Sequence, residues 1–132
     1  MLDLTSLEKA LKSLERGIER SQETPDDDEL RDSVIQRFEY TYELSWKMLK
    51  RQLEIDSQTP VSIDAMGFKE MIREAAERSL INKPQAWFEY RRQRNITSHA
   101  YDENKAVKVY ETALIFIEDA KALLHNLKQR NP

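Results

Sequence analysis

Apolar residues in this chain return every three or four positions, and that period fixes the class of fold open to it. Leu4, Leu7, Leu11, Leu14 and Ile18 form one series; Ile35, Phe38, Tyr42, Trp46, Leu49 and Leu53 form a second. Such spacing lays a stripe along one face of an α-helix, whereas a half-buried strand alternates residue by residue. The two series predict helices over about 3–22 and 29–56. Phe68, Met71, Ile72, Ala75, Ala76 and Leu80 predict a shorter third helix. Pro84 suits the first turn of a fourth, where its missing N–H costs nothing, with Trp87 and Phe88 on its apolar face. Val107, Tyr110, Leu114, Ile117, Leu124 and Leu127 predict a last helix over about 103–128, and Asp102 stands where its N-cap belongs.

The chain has only two glycines and four prolines, little material for hairpins, and its β-branched residues are scattered. Breaks fall at SQETPDDD, DSQTPVSIDAMG and INKP, with no internal repeat. The expected architecture is therefore all-α: an antiparallel four- to five-helix up-and-down bundle, one domain spanning residues 1–132, framed by its three long helices. The last helix carries a second stripe, Val109, Ala113, Phe116, Ala120 and Leu123. Two stripes on one helix mean either burial on most sides or a face kept for a second copy; a homodimer is the expectation.

Several classes fall away. No run of about 20 apolar residues is present to span a membrane. The opening MLDLTSLEKALKSLERG carries Asp3 and Glu8 and lacks the apolar stretch of a secretory signal, so a cytoplasmic location is expected. There is no cysteine, hence no disulfide or thiolate metal site. Charged residues make up 34% of the chain for a net charge of −3, which argues against binding nucleic acid by overall charge. The charge is nevertheless segregated. Lys83, Arg91, Arg92 and Arg94 face a single acid, Glu89, between positions 83 and 101, while TPDDDELRD at 24–32 holds five acids and one arginine.

The densest chemistry lies in RNITSHAY, residues 94–101. On a continuous helix Arg94 and His99, five positions apart, would lie about 140° apart around the axis. They converge if the helix ends near Thr97 or Ser98, as the N-cap at Asp102 implies. His99 and Tyr101 would then occupy a corner free to turn toward Arg94. An imidazole exchanges protons near neutral pH, and a guanidinium offers a fork of donors to phosphate. Together they suit metal-free RNA cleavage, in which the 2′-hydroxyl attacks its own phosphate. No H-E-x-x-H pattern, glycine-rich phosphate loop or G-x-S-x-G elbow offers another chemistry, and neither a metal nor a cofactor is expected. The same residues also suit a plain helix corner: Arg94 pairing with carboxylates, Asn95 closing a helix end, His99 hydrogen-bonded.

RFEYTYELSWKMLKRQL (37–53), REAAERSLINKPQAWFEYRRQRNITSHAY (73–101) and the closing helix resemble the nucleotidyltransferase substrate-binding family, small helical proteins of the wider HEPN superfamily. The likeness runs from about Leu4 to Leu127. Its most specific element is the R-x4-H-x-Y signature, matched by Arg94, His99 and Tyr101, with Asn95 as the polar residue after the arginine. The resemblance implies a homodimer whose two motifs line a shared cleft, and a partner, a minimal nucleotidyltransferase encoded alongside. It implies one of two roles: a metal-independent endoribonuclease toxin silenced by that partner, or a non-catalytic subunit that presents a nucleotide or other substrate to it. In the first role Arg94, His99 and Asn95 are catalytic, Arg91 and Ser98 bind substrate, and Tyr101 accepts AMP.

Other residues carry readings of their own. Tyr42 and Trp46, four apart, share a face and point to core packing, while Glu39 and Glu43 can pair across the bundle or face solvent. Trp87, Phe88 and Tyr90 precede the arginines and suit either the core or base stacking. Lys47, Lys50 and Arg51 read as a solvated basic face, and His125 as the edge of an interface.

Overall fold

The computed structural model describes all 132 residues. Six α-helices and one 3₁₀ turn follow one another: α1 (Thr5–Glu23), α2 (Asp28–Asp56), α3 (Pro60–Asp64), α4 (Phe68–Glu77), α5 (Pro84–Ile96), the turn Thr97–His99, and α6 (Glu103–Arg130). There is no strand. No helix is long and apolar enough to cross a membrane.

Pairs of residues between helices fix their directions. Arg37 Nη1 donates to the Ser13 carbonyl oxygen at 2.7 Å, and Thr41 Oγ1 to that of Ala10 at 3.3 Å, so α1 and α2 are antiparallel. Lys128 lies 3.3 Å from Glu8, and Lys121 pairs with Glu15, so α1 and α6 are antiparallel too. α2 and α6 run parallel: Arg31 meets Glu103 at 2.7 Å near their starts, and Asn131 Nδ2 donates to Gln52 Oε1 at 2.8 Å near their ends. α5 returns antiparallel to α2. This is an up-down-up-down bundle of α1, α2, α5 and α6, with α2 and α6 on its short diagonal. α4 packs on α5, and α3 on α2.

The stripes of α1 and α2 turn inward apart from Trp46, while the first stripe of α6 is buried only at Ile117 and Leu127 and leaves Val107 exposed. Leu4, Leu7, Leu11, Leu14 and Ile18 are buried, as are Ile35, Phe38, Tyr42, Leu49 and Leu53. The second stripe of α6 fills the centre, where Phe116 meets Phe38 and Tyr90 at 5.1 Å and Trp87 at 5.8 Å, all edge-on. Edge-to-face contact places the positive rim of one ring on the negative face of the next. The buried Asp119 is satisfied by the Tyr90 hydroxyl, which donates to it, and by Lys83 Nζ at 3.3 Å. Burial and that neighbouring carboxylate hold the Tyr90 hydroxyl above the usual phenol range. Gly17 lies mid-helix where a Cβ would meet the Arg37 side chain at 3.1 Å. The missing side chain admits the guanidinium that ties α2 to α1.

The helix ends follow the sequence closely. Asp102 caps α6, its carboxylate accepting from the backbone N–H of Asn104 and Lys105. Asp27 does the same for α2. Pro84 opens α5. One element was not legible: α3, one turn opened by Pro60, lies inside the stretch read as a break and sends Ile63 into the core. Five residues are too few to display a helical period.

Candidate functional site

α5 ends at Ile96 because its last turn tightens. Ala100 N donates to the Thr97 carbonyl oxygen at 3.2 Å, and Asp102 N to that of His99 at 3.0 Å. Two tethers from α2 hold this end. The Thr97 hydroxyl lies 2.7 Å from Glu39 Oε2 and 2.8 Å from the Arg94 carbonyl oxygen, so its one proton serves one acceptor at a time. One turn along α2, Glu43 Oε1 meets Arg94 Nε as an ion pair without hydrogen-bond geometry. The Nε itself is shielded from solvent, while the rest of both side chains leaves each about a third exposed.

Arg94 and Asn95 form one wall of a groove of about 420 Å³. Its other walls include Tyr42, Glu43, Trp46 and Arg91. Arg91 lies over the Phe68 ring, 4.1 Å from its centroid, a cation–π contact that fixes a long side chain at the groove's edge. Lys50 also lines it, 3.9 Å from Asp64. Burial pushes the Tyr42 hydroxyl well above the usual phenol range, against the pull of Arg91 and Arg94; it is a neutral donor or acceptor here.

His99 and Tyr101 stand outside this groove, on the corner between α5 and α6. His99 is exposed, Tyr101 is 86% exposed, and their rings meet edge-on with centroids 6.1 Å apart. Ser98 is exposed beside them. The structure thus divides the predicted site within one protomer. Arg91, Arg94 and Asn95 share the groove, Ser98, His99 and Tyr101 share the corner, and no hydrogen bond joins Arg94 to His99.

Other candidates resolve differently. Trp87 and Tyr90 are buried and unavailable to a base. Tyr42 is buried as its spacing implied, but Trp46 is half-buried and lines the groove against Phe68. Lys47 and Arg51 are exposed, as a solvated face requires, but Lys50 is half-buried and lines the groove. His125 lies in a separate cleft between α1 and α6 beside Glu8, Lys12 and Lys128. The tethers from Glu39 and Glu43 were left open by the sequence. Their signal was faint: two carboxylates one turn apart on α2, facing Thr97 and Arg94 almost one turn apart on the motif helix.

A sequence model of the family described as "Nucleotidyltransferase substrate binding protein like" matches residues 2–129. The chain belongs to this family. Among curated members it is 41% identical over 138 residues to a Haemophilus influenzae protein named "Probable ribonuclease HepT", covering 98% of this chain and 94% of that one. Among solved structures, one from the same organism, described as revealing the fold of a substrate-binding domain of a nucleotidyltransferase, superposes with a TM-score of 0.90 at 39% identity. It covers 96% of this chain and 99% of its own. A Thermus thermophilus protein gives a TM-score of 0.75 at 27% identity, covering 92% and 98%. Family and fold agree with the resemblance carried by the R-x4-H-x-Y signature.

Proposed function

We propose that this protein is a metal-independent endoribonuclease, the toxin of a two-component pair whose antitoxin is a minimal nucleotidyltransferase. The observation that carries this reading is the open corner. His99 and Tyr101 are exposed beside a groove that already holds Arg94 and Asn95. A relative of nearly the same length that is named as a ribonuclease supports it.

In this reading the protein works in the cytoplasm as a homodimer. Val107 and Ile115 on α6 are 39% and 64% exposed beside the half-buried Tyr110 and Leu114, an apolar strip suited to a second copy. Dimerisation brings two R-x4-H motifs to one cleft, so that His99 of either copy meets a phosphate held by Arg94. The 2′-oxygen attacks phosphorus as its proton passes to an imidazole, the P–O5′ bond breaks, and the departing 5′-oxygen takes a proton. The products are a 2′,3′-cyclic phosphate and a 5′-hydroxyl. Arg94 neutralises the oxyanions as charge builds, Asn95 orients imidazole or phosphate, and Arg91 and Ser98 hold the flanking RNA. The partner silences the site by AMP transfer. The Tyr101 oxygen attacks the α-phosphorus of ATP, loses its proton and releases pyrophosphate. The attached phosphate then lies two residues from His99, where it competes for Arg94.

A second reading has an observation of its own. A groove of about 420 Å³ with aromatic and cationic walls fits one nucleotide, and both the family's description and that of the Haemophilus structure speak of substrate binding. Expression in a bacterial host separates the two. The ribonuclease reading expects growth arrest from the wild type, none from His99→Ala, and relief on co-expressing the neighbouring nucleotidyltransferase. Two harmless proteins, neither of which cuts RNA, would leave the binding subunit. Titration calorimetry with nucleotides then tests that subunit directly.

A further inference from the structure

We propose that the outer face of α4 and α5 is a track for single-stranded RNA leading into the Arg94 groove; the proposal rests on the ribonuclease reading above. Three half-buried rings follow one another across this face. Trp46 and Phe68 have centroids 4.9 Å apart, and Phe68 and Phe88 lie 6.3 Å apart. Cations stand over the rings. Lys69 Nζ is 5.5 Å and the Arg73 guanidinium carbon 5.6 Å from the centroid of Phe88, and Arg91 is 4.1 Å from that of Phe68.

These three cations have no carboxylate within 4 Å, although the chain as a whole is acidic. Arg92 beside them is paired with Glu89 at 2.9 Å. Aromatic rings position a cation without neutralising it, so the charge stays available to phosphate. A groove of about 540 Å³ runs between α4 and α5, past Lys69, Phe88 and Arg92. It shares Phe68, Arg91 and Asn95 with the groove that holds Arg94. Asn95 therefore borders both, and a strand lying in the first is delivered to the second.

A row of rings flanked by free cations matches the two repeating features of a single strand, flat bases and charged phosphates. Stacking is tolerant of sequence because every base has a π-face, and a guanidinium resting on a ring presents its outer side to another base. A folded protein partner with an acidic surface would need the charges but not the row of rings.

The test uses the full chain carrying His99→Ala, so that RNA is bound and not consumed, and the anisotropy of a labelled single strand of about twelve nucleotides. Lys69→Gln with Arg73→Gln should weaken binding. It should also flatten the plot of log affinity against log salt by about 1.4, at about 0.7 per lost phosphate contact on a single strand. Phe88→Leu keeps an apolar side chain but removes the ring; it should weaken binding at least about fivefold and leave the salt slope unchanged. Unchanged affinity in both variants, with melting temperatures as in the parent, overturns the track. So does normal RNA binding with lost capture of the nucleotidyltransferase, which would give this face to the protein partner. Failure of the wild type to cut any RNA would strike the ribonuclease reading instead, and the binding series would still be scored without cleavage.

Discussion

The Arg94 guanidinium rests against the Glu43 carboxylate, so the motif helix α5 is tied to the middle of α2 at the residue expected to hold phosphate. Because the pair is partly solvated, it contributes to stability only on the order of 1 kcal/mol or less. Its larger effect is on aim. Glu43→Gln should leave the protein folded yet lower RNA cleavage by roughly tenfold or more, because a displaced donor forfeits transition-state stabilisation. In an Arg94→Ala background the same substitution should cost nothing further. A full additional loss there would show that Glu43 acts independently of Arg94.

Ser79 closes α4 in the left-handed region, at φ 63°, while Leu80 N donates to the Ala75 carbonyl oxygen at 2.9 Å. This is a helix stop that normally uses glycine, and a Cβ at this φ carries strain. Ser79→Gly should stabilise the fold by about 1 kcal/mol, seen as a higher urea midpoint with an unchanged slope.

Phe116 lies where the rings of α2, α5 and α6 converge. Phe116→Ala should cost about 3–5 kcal/mol. Tyr90→Phe removes the hydroxyl that donates to Asp119 and leaves Lys83 as that carboxylate's remaining partner. Its cost should be smaller, about 1–3 kcal/mol. Equilibrium unfolding of both variants checks that order.

A hydrogen bond to the Asp64 carboxyl, with lesser contributions from burial and repulsion, raises the Glu54 carboxyl above its usual range. A raised folded-state value means the folded protein binds the proton more tightly than the unfolded chain. The stabilisation is complete below the unfolded value and is lost as pH rises through the folded one. Glu54→Gln should therefore raise the melting temperature slightly at about pH 7.5, with the advantage fading near pH 4. An advantage that grows in acid would reverse the sign.

Periodicity was enough to place the long helices, because burial on one face writes itself into the order of residues. Asp102 was readable as a cap for a similarly local reason: a carboxylate two and three residues before its N–H partners acts within one turn. The signature at Arg94, His99 and Tyr101 was visible as spacing alone. The tether between Glu43 and Arg94 was not, since nothing in local order links positions so far apart in the chain. Trp46 shows the limit of face assignment. It shares a stripe with the buried Tyr42, yet α2 carries it to the bundle's edge, where Phe68 of α4 meets it and a groove opens. The row of Trp46, Phe68 and Phe88 draws on three helices and exists only once they have packed.

The most direct measurement is cleavage of one RNA, and of the same sequence as DNA, by purified wild type and His99→Ala protein in excess chelator, with the product ends identified. The account predicts that the wild type cuts RNA to 2′,3′-cyclic phosphate and 5′-hydroxyl ends and leaves DNA intact, and that His99→Ala is slower by at least about a hundredfold. Cleavage that stops in chelator, or His99→Ala protein that cuts as fast as the wild type, would contradict it.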